Sequence, residues 1–290
     1  MGAIEHISPL QLSRIATDFR ADQNNTLWIT LAQSPIGRTQ NFSFELLQDA
    51  CTLHKSIHAN GIAWMSNGAM HPIKYAVLRS AHPDYFSLGG DLAYFLQCIR
   101  QQDSKALRDY SMLCLDMVYD WSTTLNRQTT TIALIHGRAL GGGFELALAS
   151  DFIIAEEHSE FGFPEILFGL FPCTGAMSFL ARRVGVHEAE RMMTNGKVYS
   201  APELKAKGVV DELCPKGKGM AAVEKFIADH ARHRTARMML QHSRYRLAPI
   251  DYKELRTVVE EWVEVALVLG EEDLRVMDML VKMQRASIIN

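Results

Sequence analysis

The sequence predicts an α/β fold, on two observations. Short apolar runs of strand length alternate along the chain with segments of helical period, and glycine turns mark the junctions. Thr26 to Leu31 alternates as a strand does, and Asn41-Phe42-Ser43 offers a cap for a helix running to about His58. Tyr75 to Arg79 reads as a second strand, followed by a turn at Gly89-Gly90, a helix from about Leu92 to Arg100 and a longer one over Ser104 to Leu125. Thr131 to Ile135 is an apolar, β-branched strand ending at Gly137; after it come Gly141-Gly142-Gly143 and a helix from Phe144 to Ala149. Phe152 to Ala155 returns as a strand, so the successive βα units imply helices packed on a mainly parallel sheet.

Beyond Ala176 the pattern is helical, with pieces at Ala176 to Arg183, His187 to Thr194, Ala201 to Lys207 and Met220 to Arg232, and a short strand within Val209 to Cys214. Pro249 breaks the chain, after which Tyr252 to Leu269 and Glu271 to Ala286 read as two amphipathic helices joined at Gly270. No internal repeat is evident.

A chain of 290 residues can bury a full core, which fits one large domain or one with a smaller appendage. Hydrophobic residues at 48% and charged residues at 22% are ordinary for a globular protein. A net charge of -3 argues against a dedicated nucleic-acid binder. Cys51, Cys98, Cys114, Cys173 and Cys214 are widely spaced, contain no C-x-x-C pair, and are read as reduced thiols. Met1 to Arg20 carries Glu5, Arg14, Asp18 and Arg20 and lacks the apolar stretch of a signal peptide, and no apolar run approaches membrane-spanning length. A cytoplasmic protein with no membrane or nucleic-acid partner is the expectation.

Three consecutive glycines between a buried strand and a helix let the backbone approach a ligand closely and leave the first helical N–H groups without intrahelical partners. Such a terminus attracts negative oxygen. A phosphate is one candidate, but the Lys-Ser/Thr of a P-loop and the spacing of a dinucleotide fingerprint are both missing. A thioester oxygen that becomes an oxyanion is the other, and tight packing of helix on sheet explains an isolated glycine run equally well. The second turn, Ser87-Leu88-Gly89-Gly90-Asp91-Leu92, tips this balance, because two loops each giving one amide make an oxyanion hole.

With both turns in view the chain resembles the crotonase superfamily, the enoyl-CoA hydratases and isomerases. Ser87 to Leu92 is similar to the family's first oxyanion loop and Ala139-Leu140-Gly141-Gly142-Gly143-Phe144-Glu145 to its second; the similarity continues through Phe161-Gly162-Phe163-Pro164-Glu165 and Val209-Val210-Asp211, from about Thr26 to Pro215. The resemblance implies a core of ββα units wound into a spiral over residues 1–215. It further implies a C-terminal α-helical region, 216–290, serving oligomerisation and as a lid over the acyl pocket. It implies that the N–H groups of Gly90 and Gly142 form the hole and that Glu145 and Glu165 carry the protons. Taken singly, a Glu in a first helical turn is electrostatic decoration and a Pro-Glu is a turn. Together they meet a chemical need, since loss of water from a 3-hydroxyacyl thioester takes a base for the α-proton and an acid for the departing hydroxyl. Phe144, Phe161, Phe163, Ile166 and Leu167, nearby in sequence, are expected to form an apolar surround that raises a carboxyl pKa.

Within the superfamily, Phe86 to Leu92, Gly143-Phe144-Glu145, Pro164 to Pro172 and Glu261-Trp262-Val263 look like the diffusible signal factor synthases. That resemblance implies dehydration of a medium-chain 3-hydroxyacyl group to the cis-2-enoyl form and then thioester hydrolysis. It implies no cofactor beyond the phosphopantetheine of acyl carrier protein, or coenzyme A, that the substrate brings. It also implies a homotrimer or hexamer, and a sensor histidine kinase as a further partner. The alternative on the same fold is an enoyl-CoA hydratase or isomerase of fatty-acid degradation. Cys173-Thr174-Gly175 departs from the relatives' usual glycine or methionine, which makes Thr174 a candidate acyl contact with Gly89, Leu140, Gly141 and Trp262; Trp262 reads equally as helix-packing core.

From His230 to Arg246 the chain carries Arg232, Arg234, Arg237, Arg244 and Arg246 with three histidines and no acid. This is a solvated face or a receptor for an acidic carrier protein or for coenzyme A phosphates. The histidines lack metal-ligand spacing, so no metal is expected, and His136 is read as structural. A non-catalytic partner-binding protein is a further class, and a serine peptidase on the related ClpP-like fold is disfavoured because no Ser sits in a nucleophile turn beside a plausible His.

Overall fold

The computed structural model describes residues 10–35, 39–123, 125 and 128–286; the N-terminal reading therefore lies partly outside the described residues. Two strands, β1 (Ile15–Arg20) and β2 (Thr26–Leu31), open the chain as an antiparallel hairpin, turned by Asn24 and Asn25 at φ 55° and 53°. Helix α1 (Phe44–Ala59) begins where the Ser43 side chain accepts the Leu46 N–H. A second hairpin, β3 (Ala63–Ser66) and β4 (Ala69–Pro72), turns on Asn67-Gly68, both at positive φ as a two-residue loop requires. Next come β5 (Tyr75–Ser80), β6 (Tyr85–Ser87), α2 (Leu92–Arg100) and α3 (Ser104–Thr123), then β7 (Thr130–Ile135), β8 (Arg138–Leu140) and α4 (Gly142–Leu148). Strands β9 (Phe152–Glu156) and β10 (Glu160–Gly162) lead into a 3-10 turn over Glu165–Phe168. The remainder is α5 (Ala176–Val184), α6 (Val186–Thr194), β11 (Val198–Ser200), α7 (Ala201–Ala206), β12 (Glu212–Cys214) and four helices, α8 (Gly219–Ala231), α9 (Arg234–Leu247), α10 (Tyr252–Leu267) and α11 (Glu271–Ala286).

The six-stranded sheet runs β1-β2-β5-β7-β9-β12, parallel except for β1, and the four-stranded sheet runs β11-β10-β8-β6. The two sheets advance in step. Each unit places one strand in the large sheet, the next in the small sheet, and then a helix: β5-β6-α2, β7-β8-α4, and β9-β10 into the 3-10 turn. This is the ββα spiral of the crotonase fold. Because β6, β8 and β10 are adjacent and parallel, the three chain segments leaving their C-terminal ends lie side by side. Those segments carry Gly90, Gly142 and Glu165.

The large sheet is buried on both faces, which is why its strands read as nearly continuous apolar runs. Leu27, Ile29 and Leu31, Ala76 and Leu78, Ala133 and Ile135, and Ile153 and Ala155 point into the main core with α1, α3 and α4. The alternate residues Trp28, Tyr75, Val77, Ile132, Leu134 and Ile154 pack under Val223 and Ile227 of α8. Helix α10 sends Leu255, Val259, Trp262 and Val263 into the main core, and Met277 of α11 joins them. Residues 219–286 are mainly helical, and α8 closes one face of the large sheet.

The basic run is largely a helix, α9, lying at the N-terminal ends of the large-sheet strands. Arg244 pairs with the buried Asp151 at 3.0 Å, Arg234 donates to the Gln128 carbonyl, and His230 is buried against the Tyr75 hydroxyl at 3.0 Å. All five cysteines are free. Among the described residues, no helix is long and apolar enough to cross a membrane.

The start of α4 lies hard against the end of β6: a Cβ added at Gly143 would collide with the Ser87 carbonyl. Gly143→Ala is therefore expected to cost about 2–3 kcal/mol of stability in urea denaturation; a change below about 0.5 kcal/mol would contradict this packing.

Candidate active site

The first glycine turn is fixed by its neighbours. Leu88 donates its N–H to the Gln40 carbonyl, Phe42 donates to the Gly89 carbonyl, and the Asp91 N–H reaches the Tyr110 hydroxyl, at 2.8, 2.8 and 2.9 Å. Asp91 in turn caps α2 by accepting the Ala93 and Tyr94 N–H groups. The second turn is held by Gly141, whose N–H donates to the Gly162 carbonyl at 2.9 Å and whose φ of +53° suits glycine.

The two turns touch. A Cβ added at Gly89, which sits at φ +76°, would lie 2.5 Å from the Gly142 nitrogen, and one added at Gly142 would lie 3.6 Å from the Gly90 nitrogen. Backbone thus approaches backbone with no room for a side chain. Gly90 and Gly142 both line one cavity, and among the described residues neither N–H has a protein acceptor. A carbonyl oxygen placed between them would receive both donors.

Glu145, in the first turn of α4, is 2% exposed. Its Oε1 accepts the N–H groups of Thr174 and Ala176 at 2.7 and 2.9 Å, and its Oε2 accepts the Thr174 hydroxyl at 2.6 Å. Burial pushes its pKa up to about 7, with these three donors opposing the rise. Glu165 leans on Gly141, where an added Cβ would lie 2.6 Å from its Oε1. The residue as a whole is partly exposed, yet its Oε2 is enclosed and unpartnered among the described residues. Burial first, and then the neighbouring Glu145, raise Glu165 to about 8. The three donors on Glu145 favour its ionised form, whereas the enclosed, unpartnered Oε2 of Glu165 favours the protonated form, and the two groups titrate as a coupled pair.

The cavity holding these groups encloses about 660 Å³, counting its open mouth. Phe42, Phe95, Phe168, Leu170, Phe171 and Trp262 form much of its apolar wall. Among the described residues no three His, Cys, Asp or Glu side chains are grouped to hold a metal ion.

A model of the enoyl-CoA hydratase/isomerase family matches residues 69–251, well over half of the chain. The chain belongs to that family. A fatty acid oxidation complex subunit alpha of Vibrio cholerae is 29% identical over 181 residues, which is 62% of this chain and 25% of that protein. A mevalonyl-coenzyme A hydratase of Beauveria bassiana is 42% identical over 86 residues, 30% of this chain and 31% of the relative. The matched segment therefore spans about a quarter to a third of these relatives' lengths. In structure, an enoyl-CoA hydratase from Bacillus halodurans superposes with a TM-score of 0.72 at 23% identity, covering 92% of this chain and all of its own, which establishes the fold.

The family fold gathers Glu145, Glu165, Gly90, Gly141, Gly142, Thr174 and Trp262 on one cavity. It does not bring Gly89 and Leu140 there: Gly89 is packed under Gly142, and Leu140 ends β8 paired with Gly162. The expected aromatic and aliphatic surround is also differently composed. Phe144, Phe161 and Phe163 are buried in mutual ring contact, whereas Ile166 and Leu167 are 39% and 55% exposed. The cavity wall beside the carboxyls is formed instead by Phe168 and Leu170, just after Glu165, and by Phe42, Phe95, Cys114 and Trp262, which lie far off in sequence. Nothing local could have announced them, although Phe95 and Trp262 do fall on apolar helix faces. The arginines of α9 do not line this cavity.

Because the folded state holds the Glu165 proton more tightly than the usual carboxyl value of 4.5, its stabilising contribution is lost as pH rises through about 8. Glu165→Gln, which cannot ionise, should match the wild type in melting temperature near pH 5 and exceed it by a few degrees near pH 9. An equal gap at both pH values would contradict the buried, raised carboxyl.

Proposed function

We propose that this enzyme dehydrates a medium-chain 3-hydroxyacyl thioester to the cis-2-enoyl form and then hydrolyses the thioester, as a diffusible signal factor synthase does. What supports the reading is one apolar cavity lined by two residues with main-chain amides unpartnered among the described residues and by two carboxyls whose pKa values are both raised by burial. The thioester oxygen rests on the Gly90 and Gly142 N–H groups, so that negative charge arising at that oxygen meets fixed donors in a low-dielectric site. In dehydration the carboxylate of Glu165 takes the proton from C2 and the acid form of Glu145 gives one to the C3 hydroxyl; the C3–O bond breaks, the C2–C3 double bond forms and water leaves. In hydrolysis a carboxylate takes a proton from water as it adds to the thioester carbon. The same two amides hold the tetrahedral oxyanion until the C–S bond breaks and the thiolate is protonated.

A second reading is reversible hydration alone, with no hydrolysis. The three donors to Glu145, which favour its carboxylate, and the enclosed, unpartnered Oε2 of Glu165, which favours its acid form, support it, because water adds to an enoyl thioester from a carboxylate and an acid so arranged. The similar mevalonyl-coenzyme A hydratase points the same way. Product analysis separates the two. With 3-hydroxydodecanoyl-acyl carrier protein, release of free cis-2-dodecenoic acid is expected, and recovery of thioesters alone would sink the synthase reading in favour of the hydratase. Glu145→Gln and Glu165→Gln should each lower turnover by about 10²–10⁴-fold under either reading. Full activity in both variants would remove the acid–base mechanism altogether.

A further inference from the structure

Thr174 stands between the 3-10 turn and α5, 4% exposed, in a stretch whose next residue, Gly175, has φ +117° and starts α5 with the Phe179 ring against its Cα. That turn aims two main-chain donors, the N–H groups of Thr174 and Ala176, at Oε1 of Glu145. Any residue at position 174 would supply the first of them. The hydroxyl is different, because it is the side chain's own contribution and it alone meets Oε2 among the described residues.

We propose that the Thr174 hydroxyl is a positioning group, holding Oε2 of Glu145 in the orientation and charge state from which it exchanges a proton with the oxygen on C3 of the substrate. The proposal rests on the acid–base reading of Glu145 given above and adds a residue to it. With Oε1 saturated by main-chain donors, Oε2 is the oxygen left for the cavity. A hydroxyl can donate to it while it is ionised and accept from it once it is protonated, so one contact serves both ends of the proton transfer. Threonine is suited to this, since its β-branch restricts χ1 and so keeps the hydroxyl aimed. As an acyl contact, which the sequence alone assigns to it, Thr174 would use its methyl group only.

The titratable groups facing Glu145 are Glu165 from the 3-10 turn, Cys114 from α3 and Cys173 from the same stretch as Thr174. Burial drives both thiols far above neutrality, so they stay uncharged. Glu165 is left as the group whose charge competes with that of Glu145, and both must be followed together.

Thr174→Val keeps the shape and removes the hydroxyl, while Thr174→Ser keeps the hydroxyl. With carboxyl-¹³C glutamate, the resonance of Glu145, assigned by its loss in Glu145→Gln, can be titrated in each variant without any turnover. Loss of a hydrogen bond to a charged group should move its midpoint up by about one pH unit in Thr174→Val, with most of the shift reversed in Thr174→Ser. In parallel, kcat near pH 7 should fall about tenfold in the valine variant with KM changed less than about twofold, and serine should recover most of it. An unchanged midpoint in a folded Thr174→Val protein overturns the proposal, as does an unchanged kcat. Absence of wild-type turnover on hydroxyacyl and enoyl thioesters counts against the proposed function instead, and the titration still decides the contact.

Discussion

The contact between the Gly89-Gly90 turn and the Gly141-Gly142-Gly143 turn is the constraint from which the rest of the site follows. Two backbones can lie this close only where neither carries a Cβ, and a side chain at Gly89 would sit 2.5 Å from the Gly142 nitrogen. The ββα spiral supplies the geometry, because it stacks β6, β8 and β10 in parallel so that consecutive units release their turns at one edge. The first two units deliver amides and the third delivers Glu165. Glu145 arrives on the same wall as the third residue after Gly142, carried by α4. Gly90 and Glu165, separated by 75 residues of sequence, are thus neighbours by repetition of one structural unit.

Electrostatics then separates two carboxyls that the sequence presents as equivalent. Both are raised by burial, but Glu145 accepts three hydrogen bonds and Glu165 none at its enclosed Oε2. Donors favour the ionised form, so hydrogen bonding pulls Glu145 toward the carboxylate while Glu165 is left with burial and the neighbouring charge, both of which favour its acid form.

Much of this was legible in the sequence, and the parts that were not share physical causes. The six-residue strands β2, β5 and β7, the glycine turns and the helices came through because each spans enough residues to show its period. Strands β6, β8 and β10 show no period of their own, being three residues long, and only the family resemblance implies the second strand of each ββα unit. The β1 strand is half-polar on a hairpin edge, and α9 has its apolar residues diluted by arginines. For the site, the motif residues Gly90, Gly142, Glu145 and Glu165 do share one cavity, whereas Gly89 lies under the other turn and Leu140 ends a strand. Thr174 stands out in the sequence only as a departure from the relatives' usual residues and so as a candidate acyl contact, whereas in the fold its hydroxyl meets Glu145. Direction of a side chain and the distant partners that bury it are properties of the fold, with no local signature.

The direct measurement is a crystal structure with a ketone analogue of the substrate, in which a methylene replaces the thioester sulfur so that the complex persists. The carbonyl oxygen is expected within about 3 Å of both the Gly90 and Gly142 nitrogens, with the Glu145 and Glu165 carboxyls flanking C2 and C3. A carbonyl that contacts neither amide, or an acyl chain lying outside the cavity lined by Phe95 and Trp262, would contradict the oxyanion site from which the chemistry has been derived.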